Sequence, residues 1–465
     1  MNHRFLWTAF VLILTSFNLS AKIVLPAVFS DNMVLQQNSE VALWGWSNPS
    51  EKLKIVASWN PTDTLQVDAT NGAFWSTKIK TSQAGGPYTL TFMGSSTVEL
   101  KNVMLGEVWL CSGQSNMDWS SEAGVFDVEK EVAQANQPNI RMITLPHISA
   151  PYPQQFADAT WTVSTPETMR RTSAIGYKFA KELQKNLHVP VGIIVSSWGG
   201  SPIESWLRKE QFEAADPAIH AAYKDNKEPW APGTPASVYN GMIAPLVPFG
   251  IAGVIWYQGE SNVSRPQSYA LLMKTLVEGW RKDFGKDFAF YYVQIAPFTY
   301  GDPKAYQLRE QQTQALSIPK TGMVVISDLV DNVKDIHPRM KYPVGVRLAN
   351  LALAETYGKS VGAYQSPLYQ SMKVEKDKIR ISFTYTEKGL KSTEKPIVHF
   401  QIAGEDHQFV EAMATISGNA VVVSSKAVKK PIAVRYCFEN AFVPNLFSQE
   451  GLPVAPFRTD DWGLK

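Results

Sequence analysis

Between Met104 and about residue 362, strand-like and helix-like segments alternate along the chain. Apolar runs of buried-strand length include GEVWLCSG, VPVGIIVSSWGG and GIAGVIWYQGES, and the helical patterns between them include AIGYKFAKELQKNL and SYALLMKTLVEGWRKDF. This alternation is typical of βαβ units, which build a parallel sheet with helices on both faces. We therefore predict an α/β domain over residues 104–362, with ligands bound at the carboxyl ends of its strands.

The chain on either side of this domain has a different pattern. Residues 22–103 contain short alternating runs, such as EVALWGW and PYTLTFM, with turn sequences every ten or so residues, and residues 363–465 return to the same pattern. Both segments are predicted to form β-sandwich regions that flank the α/β domain. A Pro-rich stretch from about Lys209 to Pro235 is predicted to be a surface excursion near the mouth of the site.

The first 21 residues predict a cleavable signal peptide. A basic start is followed by an apolar run from Phe5 to Phe17 and by small residues at Ser20 and Ala21. A run of about 13 apolar residues is too short for a bilayer core that needs about 20, although an uncleaved anchor is the alternative. We expect a mature protein that begins near Lys22 and is periplasmic or secreted.

Composition excludes several classes of partner. Lys and Arg number 44 against 42 Asp and Glu, which leaves a net charge of +2 and no long-range field for nucleic acid or an anionic membrane. No His-rich or Cys-rich cluster has metal-ligand spacing, so a metallohydrolase is disfavoured. Cys111 and Cys437 lie in apolar, strand-like segments of different domains, which favours two buried thiols over one disulfide.

Ser115 follows the first strand of the predicted sheet, in the sequence GEVWLCSGQSNMDW. A serine at the carboxyl end of a parallel strand can present its hydroxyl in the crevice where substrates bind. The stretch differs from the lipase-type elbow, Gly-x-Ser-x-Gly, because Met117 occupies the position of the second glycine. From this stretch alone, a nucleophile and a structural turn serine both stay open.

A nucleophilic serine needs a base, and His337 has the best setting of the seven histidines. It follows the strand-like run GMVVIS, with Asp328, Asp331 and Asp335 nearby. A carboxylate that accepts the far ring N–H would hold the correct tautomer and stabilise the imidazolium that forms during attack. A loop histidine among solvated aspartates is the alternative interpretation.

Two further strand ends carry groups that can stabilise an oxyanion. The run SSWGG places two glycines after a strand, where backbone N–H groups can turn toward a ligand. The run WYQGESN places Gln258, Glu260 and Asn262 after another strand, where a side-chain amide can donate to a developing alkoxide. All of these groups follow strands of one predicted sheet, which favours a single site at its edge.

Five motifs in order, GEVWLCSGQSNM, SSWGGSPIESW, NGMIAPL, WYQGESN and DIHPRMKYPVGVRLA, resemble the sialate O-acetylesterase family of the SGNH hydrolase superfamily. The resemblance extends from about Leu25 to about Trp462. It implies a three-layer, SGNH-hydrolase-like α/β domain with flanking β-sandwich regions. It also implies removal of acetyl groups from sugar hydroxyls without a metal or cofactor.

The resemblance assigns roles to individual residues. Ser115 would be the nucleophile and His337 the general base. The oxyanion hole would combine the Ser115 N–H with Gly200 and the amide of Gln258, with Asn262 as the second candidate for that amide. Superfamily members often supply the amide from a Gly-x-Asn-Asp block, which QGESN replaces in this chain.

A second departure from the superfamily pattern concerns the acid. Many members have Asp three residues before the histidine, where this chain has Lys334. Asp335 is the closest substitute, and a Ser-His dyad oriented by Asp331 or by a backbone carbonyl stays open.

Three residues near the predicted centre are candidates for substrate contact: Trp198, Glu260 and Asn262. The Trp198 ring can stack on a sugar face, although core packing is the alternative. Glu260 can bond a sugar hydroxyl or instead brace the oxyanion loop.

The predicted reaction is hydrolysis of O-acetyl groups from sugars, with 9-O-acetylated sialic acids as the first expected substrate. Acetylated xylan, xyloglucan or pectin is the alternative, because the motifs encode acetyl transfer to water and do not specify the sugar. A non-catalytic glycan-binding protein is a third hypothesis. It predicts a lost serine or histidine, and both are present.

Overall fold

A computed structural model describes residues 22–223, 231–302 and 304–463. The predicted signal peptide, residues 1–21, lies outside the described residues, as do residues 224–230 of the Pro-rich stretch. Among the described residues, no helix has both the length and the apolar character needed to cross a membrane.

The N-terminal region is built from two small antiparallel sheets whose apolar faces meet. One sheet pairs β2 with β5, and in the other β3 pairs with β4 and β6. Buried and exposed residues alternate along β3 and β5, and the Trp75 and Phe92 rings pack 5.6 Å apart between the sheets. The strands are β1 (Val34–Gln36), β2 (Glu40–Trp46), β3 (Lys52–Ala57), β4 (Thr64–Asp68), β5 (Phe74–Lys80), β6 (Gly85–Met93) and β7 (Thr97–Gly113).

Strand β7 belongs to both the N-terminal region and the central sheet. Its first part pairs antiparallel with β6, and its last residues pair in parallel with two strands of the central sheet. Burial alternates at its start and becomes continuous from Val103 to Gly113, as expected for a strand covered on both faces. This strand therefore crosses the domain boundary predicted between residues 103 and 104.

The central sheet has the strand order β13-β12-β11-β7-β10-β8-β9, and neighbouring strands are parallel as far as β8. Only β9 is antiparallel to its neighbour in this series. Its elements are β8 (Gln137–Thr144), β9 (Thr162–Ser164), β10 (Val191–Ser197), β11 (Gly253–Tyr257), β12 (Ala289–Val293) and β13 (Thr321–Val324). The prediction of an α/β domain with a mostly parallel sheet is confirmed.

Helices cover both faces of this sheet. Helices α4 and α9 pack with Trp109 and Ile255 in one apolar cluster, and α7 packs with Leu110 and Val254 in the other. The helices are α1 (Ser115–Asp118), α2 (Val128–Val132), α3 (Pro166–Arg171), α4 (Ala174–Leu187), α5 (Lys209–Glu213), α6 (Pro217–Ala222), α7 (Tyr269–Asp283), α8 (Ala305–Gln314) and α9 (Lys341–Glu355). Short 3₁₀ turns occur at Ser121–Ala123, Ile203–Trp206, Ala244–Leu246, Glu260–Asn262, Pro266–Ser268 and Ala315–Ser317, with a π-helical turn at Tyr239–Ile243.

The C-terminal region contains two four-stranded sheets, ordered β14-β15-β20-β19 and β18-β17-β21-β23. Ile381 and Val421 from the first sheet share one apolar cluster with Ile402 and Val434 from the second, so the region is sandwich-like. The strands are β14 (Tyr369–Glu375), β15 (Lys378–Phe383), β16 (Leu390–Ser392), β17 (Phe400–Ala403), β18 (Val410–Glu411), β19 (Met413–Ser417), β20 (Ala420–Ser424), β21 (Ala433–Tyr436), β22 (Leu446–Ser448) and β23 (Phe457–Arg458).

The two cysteines are free thiols in the structure, and both are buried. Cys111 lies in β7 of the central sheet, and Cys437 follows β21 in the C-terminal region. Burial raises the pKa of each thiol well above its ordinary value. Neither sulfur is therefore poised for thiolate chemistry.

Arg309 of α8 joins the central sheet domain to the C-terminal region. Its guanidinium donates to the carbonyls of Ile295 and Ala296 at 3.1 Å, and to those of Glu439 and Asn440 at 2.8 and 2.7 Å. The side chain is fully buried, and its hydrogen bonds link carbonyls of both regions.

We expect Arg309→Met to lower the free energy of unfolding by about 3 kcal/mol or more, because the substitution removes a buried guanidinium and its hydrogen bonds to both regions. Urea unfolding followed by tryptophan fluorescence measures this change. Arg380→Met is the control, since Arg380 pairs with Glu375 at a solvent-accessible position, where an ion pair contributes little to stability. Equal losses in the two variants would contradict the bridging role of Arg309.

Candidate active site

Ser115 lies at the start of α1, two residues after the end of β7. Gly113 makes this abrupt turn possible, because its φ of 131° is strained for any residue with a Cβ. A Cβ at Gly113 would also overlap the carbonyl oxygen of Tyr257 on β11. The Gln114 N–H donates to that same oxygen at 2.9 Å. This hydrogen bond holds the turn of residues 113–115, called the serine turn below, against the neighbouring strand β11.

The structure brings Ser115 and His337 together from positions 222 residues apart in the chain. Ser115 Oγ lies 2.9 Å from His337 Nε2, within hydrogen-bond distance. The Trp119 ring stacks on the imidazole with centroids 4.9 Å apart and an interplanar angle of 18°. Burial lowers the pKa of His337, and the positive charge of Lys341 lowers it further. The negative charge of Asp335 has a smaller effect that raises it.

The carboxylate nearest to His337 belongs to Asp335. Its Oδ1 lies 4.0 Å from His337 Nδ1, which is beyond hydrogen-bond distance. The same oxygen accepts a hydrogen bond from the His337 backbone N–H at 2.9 Å. Asp331 Oδ1 accepts the backbone N–H of Arg339 at 3.1 Å, and Asp328 forms an ion pair with Arg347. Asp335 therefore orders the histidine loop, and the assignment of the acid stays a prediction.

The glycine turn after β10 packs against the serine. A Cβ on Gly199 would lie 3.4 Å from the Cβ of Ser115, so the glycine leaves room beside the hydroxyl. Gly200 follows with a φ of 71°, in the left-handed region that glycine tolerates. The Trp198 N–H donates to the Gly113 carbonyl at 3.0 Å, which couples the glycine turn to the serine turn.

Gln258 is buried at the end of β11, where its amide already has partners. Its Nε2 donates to the carbonyl of Ser201 at 3.2 Å and to Asn262 Oδ1 at 2.8 Å, and its Oε1 accepts from the Tyr269 hydroxyl at 2.7 Å. These bonds brace the segment that follows the glycine turn. The predicted oxyanion role of Gln258 stays a prediction, and it requires one of the two amide hydrogens to be released.

Asn262 and Glu260 are also buried and bonded to protein groups. Asn262 Oδ1 accepts from the Ile203 N–H at 3.0 Å, and its Nδ2 donates to Glu204 at 2.9 Å. Glu260 Oε1 accepts from Asn116 Nδ2 at 2.7 Å. These contacts match the bracing interpretation of Glu260, and direct substrate contact by either side chain stays a prediction.

The Trp198 ring stacks on the imidazole of His147, and its contact with a sugar stays a prediction. The two rings are parallel within 9°, with centroids 4.9 Å apart. The His147 Nε2 lies 3.5 Å from Asp118 Oδ2, and hydrogen bonding to Asp118 raises the pKa of His147. A cavity of about 340 Å³ opens beside these residues, bordered also by Ser120 and Arg171.

Asn116 and Lys341 lie at the centre of the site, although the sequence interpretation did not single them out. Lys341 Nζ donates to Asn116 Oδ1, and both side chains are buried. Their place in the motifs SGQSNM and DIHPRMK was the available signal, since each lies within four residues of Ser115 or His337. No group of three or more metal-ligating side chains occurs among the residues that the structure describes.

A serine hydroxyl bonded to an imidazole at the carboxyl edge of a parallel sheet defines the class of serine-dependent hydrolases. Comparison with known families narrows this class. The chain belongs to the family described as carbohydrate esterase, sialic acid-specific acetylesterase, whose model matches residues 105–354. The resemblance noted in the sequence is thereby confirmed, and the protein is an esterase.

Individual relatives extend over most of the chain. Human sialate O-acetylesterase is 27% identical over 92% of this chain and 91% of its own length, and the rat enzyme is 27% identical over 89% of each. The crystal structure of a carbohydrate acetylesterase from Xanthomonas citri is 34% identical, covers 95% of this chain and 100% of its own, and superposes with a TM-score of 0.87. The shared fold therefore includes the flanking β-regions.

We expect Gly113→Ala to lower kcat for ester hydrolysis by about 100-fold, because the added methyl group must push the serine turn away from β11. Hydrolysis of 4-nitrophenyl acetate gives kcat, and thermal unfolding reports the fold. Gly285→Ala is the matched control, since its φ of 63° is also positive but a Cβ there meets nothing within 4 Å. Parent-like kcat in Gly113→Ala would show that the close approach to Tyr257 does not position Ser115.

Proposed function

We propose that this protein hydrolyses O-acetyl esters of sugars through an acetyl-enzyme formed on Ser115. The observation that carries the proposal is the 2.9 Å distance between Ser115 Oγ and His337 Nε2. It lies at the sheet edge where ligands bind in this class of fold, in a chain that belongs to an acetylesterase family.

The first half of the reaction acylates the serine. His337 Nε2 accepts the hydroxyl proton while Ser115 Oγ attacks the acetyl carbonyl carbon. The tetrahedral oxyanion is held by the Ser115 N–H and by the N–H of Gly200 in the adjacent glycine turn. The sugar alkoxide then leaves and takes the proton back from His337, and the acetyl group stays on the serine.

Water completes the cycle by the same route in reverse. His337 accepts a proton from water while the water oxygen attacks the acetyl carbon. The bond between that carbon and Ser115 Oγ then breaks, His337 returns the proton to Oγ, and acetic acid is released. The base must be neutral in both halves, and burial favours this form by lowering the pKa of His337. Activity therefore rises with pH as the imidazole loses its proton, with the midpoint below the ordinary histidine pKa.

Gln258 is the proposed third oxyanion donor, as the family resemblance suggests. Of its two donated bonds, the one to the Ser201 carbonyl is longer, at 3.2 Å against 2.8 Å to Asn262. That hydrogen is the one that would turn toward a developing oxyanion. Ser201 follows the glycine turn directly, so the required movement is a reorientation of the Gln258 amide against the segment after β10.

We infer an acetylated sialic acid, with the ester at the 9-hydroxyl, as the substrate class. Support comes from the family description and from the curated relatives, which are sialate O-acetylesterases. Acetylated plant polysaccharide is the second candidate, because the Xanthomonas citri relative is described more broadly as a carbohydrate acetylesterase. The predicted signal peptide would place either reaction in the periplasm or outside the cell.

The substrate panel is 9-O-acetylated N-acetylneuraminic acid against acetylated xylan, with acetate release as the measurement. We expect the sialic acid ester to react faster, and Ser115→Ala to reduce its turnover by about 10⁴-fold or more. Ser112→Ala is the matched control. Ser112 lies on β7, three residues before Ser115, and its buried Oγ has no hydrogen-bond partner among the described residues. Parent-like acetate release by Ser115→Ala would rule out the proposed nucleophile.

Asp335 is the proposed acid. It can affect kcat in two ways, through its negative charge near the imidazole and through the hydrogen bond that orders the histidine loop. We expect Asp335→Ala to lower kcat by about 10- to 100-fold, because it removes both the nearby charge and the acceptor for the His337 N–H. Asp335→Asn keeps an oxygen acceptor and should lose less. Near-parent kcat in Asp335→Ala would instead indicate a Ser-His dyad or an acid role for Asp331.

A further inference from the structure

A buried lysine lies beside the proposed catalytic pair. Lys341 is the first residue of α9, only four residues after His337, and its side chain is 1% exposed. Its ammonium donates to Asn116 Oδ1 and lies 5.0 Å from the centre of the Trp119 ring and 5.8 Å from that of Tyr257. Each of these contacts is with a residue that borders the serine turn.

Asn116 uses its amide to connect three loops. It follows Ser115 in the chain, and its Nδ2 donates to Glu260 Oε1 at 2.7 Å and to the Ile336 carbonyl at 3.1 Å. Ile336 immediately precedes His337, so the amide ties the serine turn directly to the histidine loop. Lys341 orients this amide, because its donation to Oδ1 leaves the Nδ2 hydrogens facing the other two partners.

Trp119 gives Lys341 a second connection to the histidine. The indole stacks on the His337 ring, while the lysine ammonium makes a cation-π contact with the same indole. Since the Asp335 carboxylate lies 4.0 Å from His337 Nδ1 and forms no hydrogen bond to the ring, this stacking restrains the ring plane from its face.

The charge of Lys341 is costly to bury. Glu260, Asp335 and Asp331 favour its charged form, but burial has the larger effect and lowers its pKa to about 7. Burial also raises the pKa of Glu260, whose Oε2 has no hydrogen-bond partner among the described residues. A purely structural position here would be filled more favourably by an apolar side chain, and perturbed groups of this kind cluster at functional sites.

We propose that Lys341 is a positioning residue, which holds Ser115 and His337 in register through Asn116 and Trp119. This inference rests on the proposed acetylesterase mechanism. It assigns to a cation on α9 part of the orienting role that an aspartate in contact with Nδ1 performs in other serine hydrolases.

The groups that face Lys341 and His337 determine the sign of the expected effect. Asp331 and Asp335 lie on the histidine loop, Glu260 lies on the turn after β11, and Arg309 of α8 acts on Glu260 from farther away. Lys341 is the cation whose charge lowers the pKa of His337, together with burial. Removing that charge should raise the pKa of His337, and the effect should be largest below about pH 7, where Lys341 is protonated.

The test is Lys341→Met, assayed with 4-nitrophenyl acetate from pH 4.5 to 9. We expect kcat to fall about 10- to 100-fold with KM changed less than about twofold, because positioning affects the transition state more than ground-state binding. We also expect the acid limb of kcat/KM to move upward by about 0.5 pH unit or more. A structural defect alone would lower activity without moving this limb.

Two further variants keep the test decisive. Lys341→Gln retains a donor for Asn116 and lacks the charge, so it should show the upward shift of the acid limb even if Lys341→Met does not fold. Lys178→Met is the matched control, because Lys178 is also largely buried, pairs with Glu131 and Glu182, and should leave the pH profile unchanged.

Two outcomes would overturn the inference: parent-like kcat in Lys341→Met, or an unshifted acid limb in both Lys341 variants. The Ser115→Ala variant separates this failure from failure of the proposed function. If Ser115→Ala is inactive while both Lys341 variants match the parent, the acetylesterase mechanism stands and only the role of Lys341 is wrong. If Ser115→Ala is active, the mechanism itself is wrong.

Discussion

Strand β7 is the element on which the rest of the architecture depends. It begins in the N-terminal region, pairs there with β6, and ends between β10 and β11 at the serine turn. Glu107, midway along it, accepts hydrogen bonds from Gln36 and Gln37 of the N-terminal region and from Tyr357 after α9. Because one continuous strand carries both pairings, the position of Ser115 is set by the packing of two regions and not by a loop.

Sequence patterns predicted the elements of this fold well where they are bounded by clear signals. The pattern AIGYKFAKELQKNL coincides with α4, which begins after the capping Ser173 and ends at His188 in a left-handed conformation. The domain boundary near residue 104 was harder to define from sequence. In β7 the change from alternating to continuous burial occurs within one strand, without the turn residues that mark other boundaries.

The site shows a similar division between what sequence reveals and what only packing decides. Ser115 and His337 could be paired in advance, because each follows a strand-like run and few histidines compete for the role. Lys341 and Asn116 gave no such signal, since a lysine near a loop is ordinarily a solvated surface residue. Likewise, polar residues at strand ends were expected to face a ligand. In the structure Gln258 and Asn262 also bond to each other, since buried polar groups pair wherever the packing allows it, and their predicted contact with a ligand stays a prediction.

This internal bonding has a consequence for how the site keeps its geometry. The Glu204 carboxylate accepts hydrogen bonds from Arg265 at 2.8 Å and from Asn262 at 2.9 Å. This buried ion pair and amide contact join the segment after the glycine turn to the turn after β11. Asn116 and Glu260 join that same turn to the serine. A hydroxyl and an imidazole held at 2.9 Å need restraint from several directions. Where the carboxylate does not touch the ring, a connected and buried polar network supplies that restraint, because Asn116 and Glu204 are each held by more than one partner.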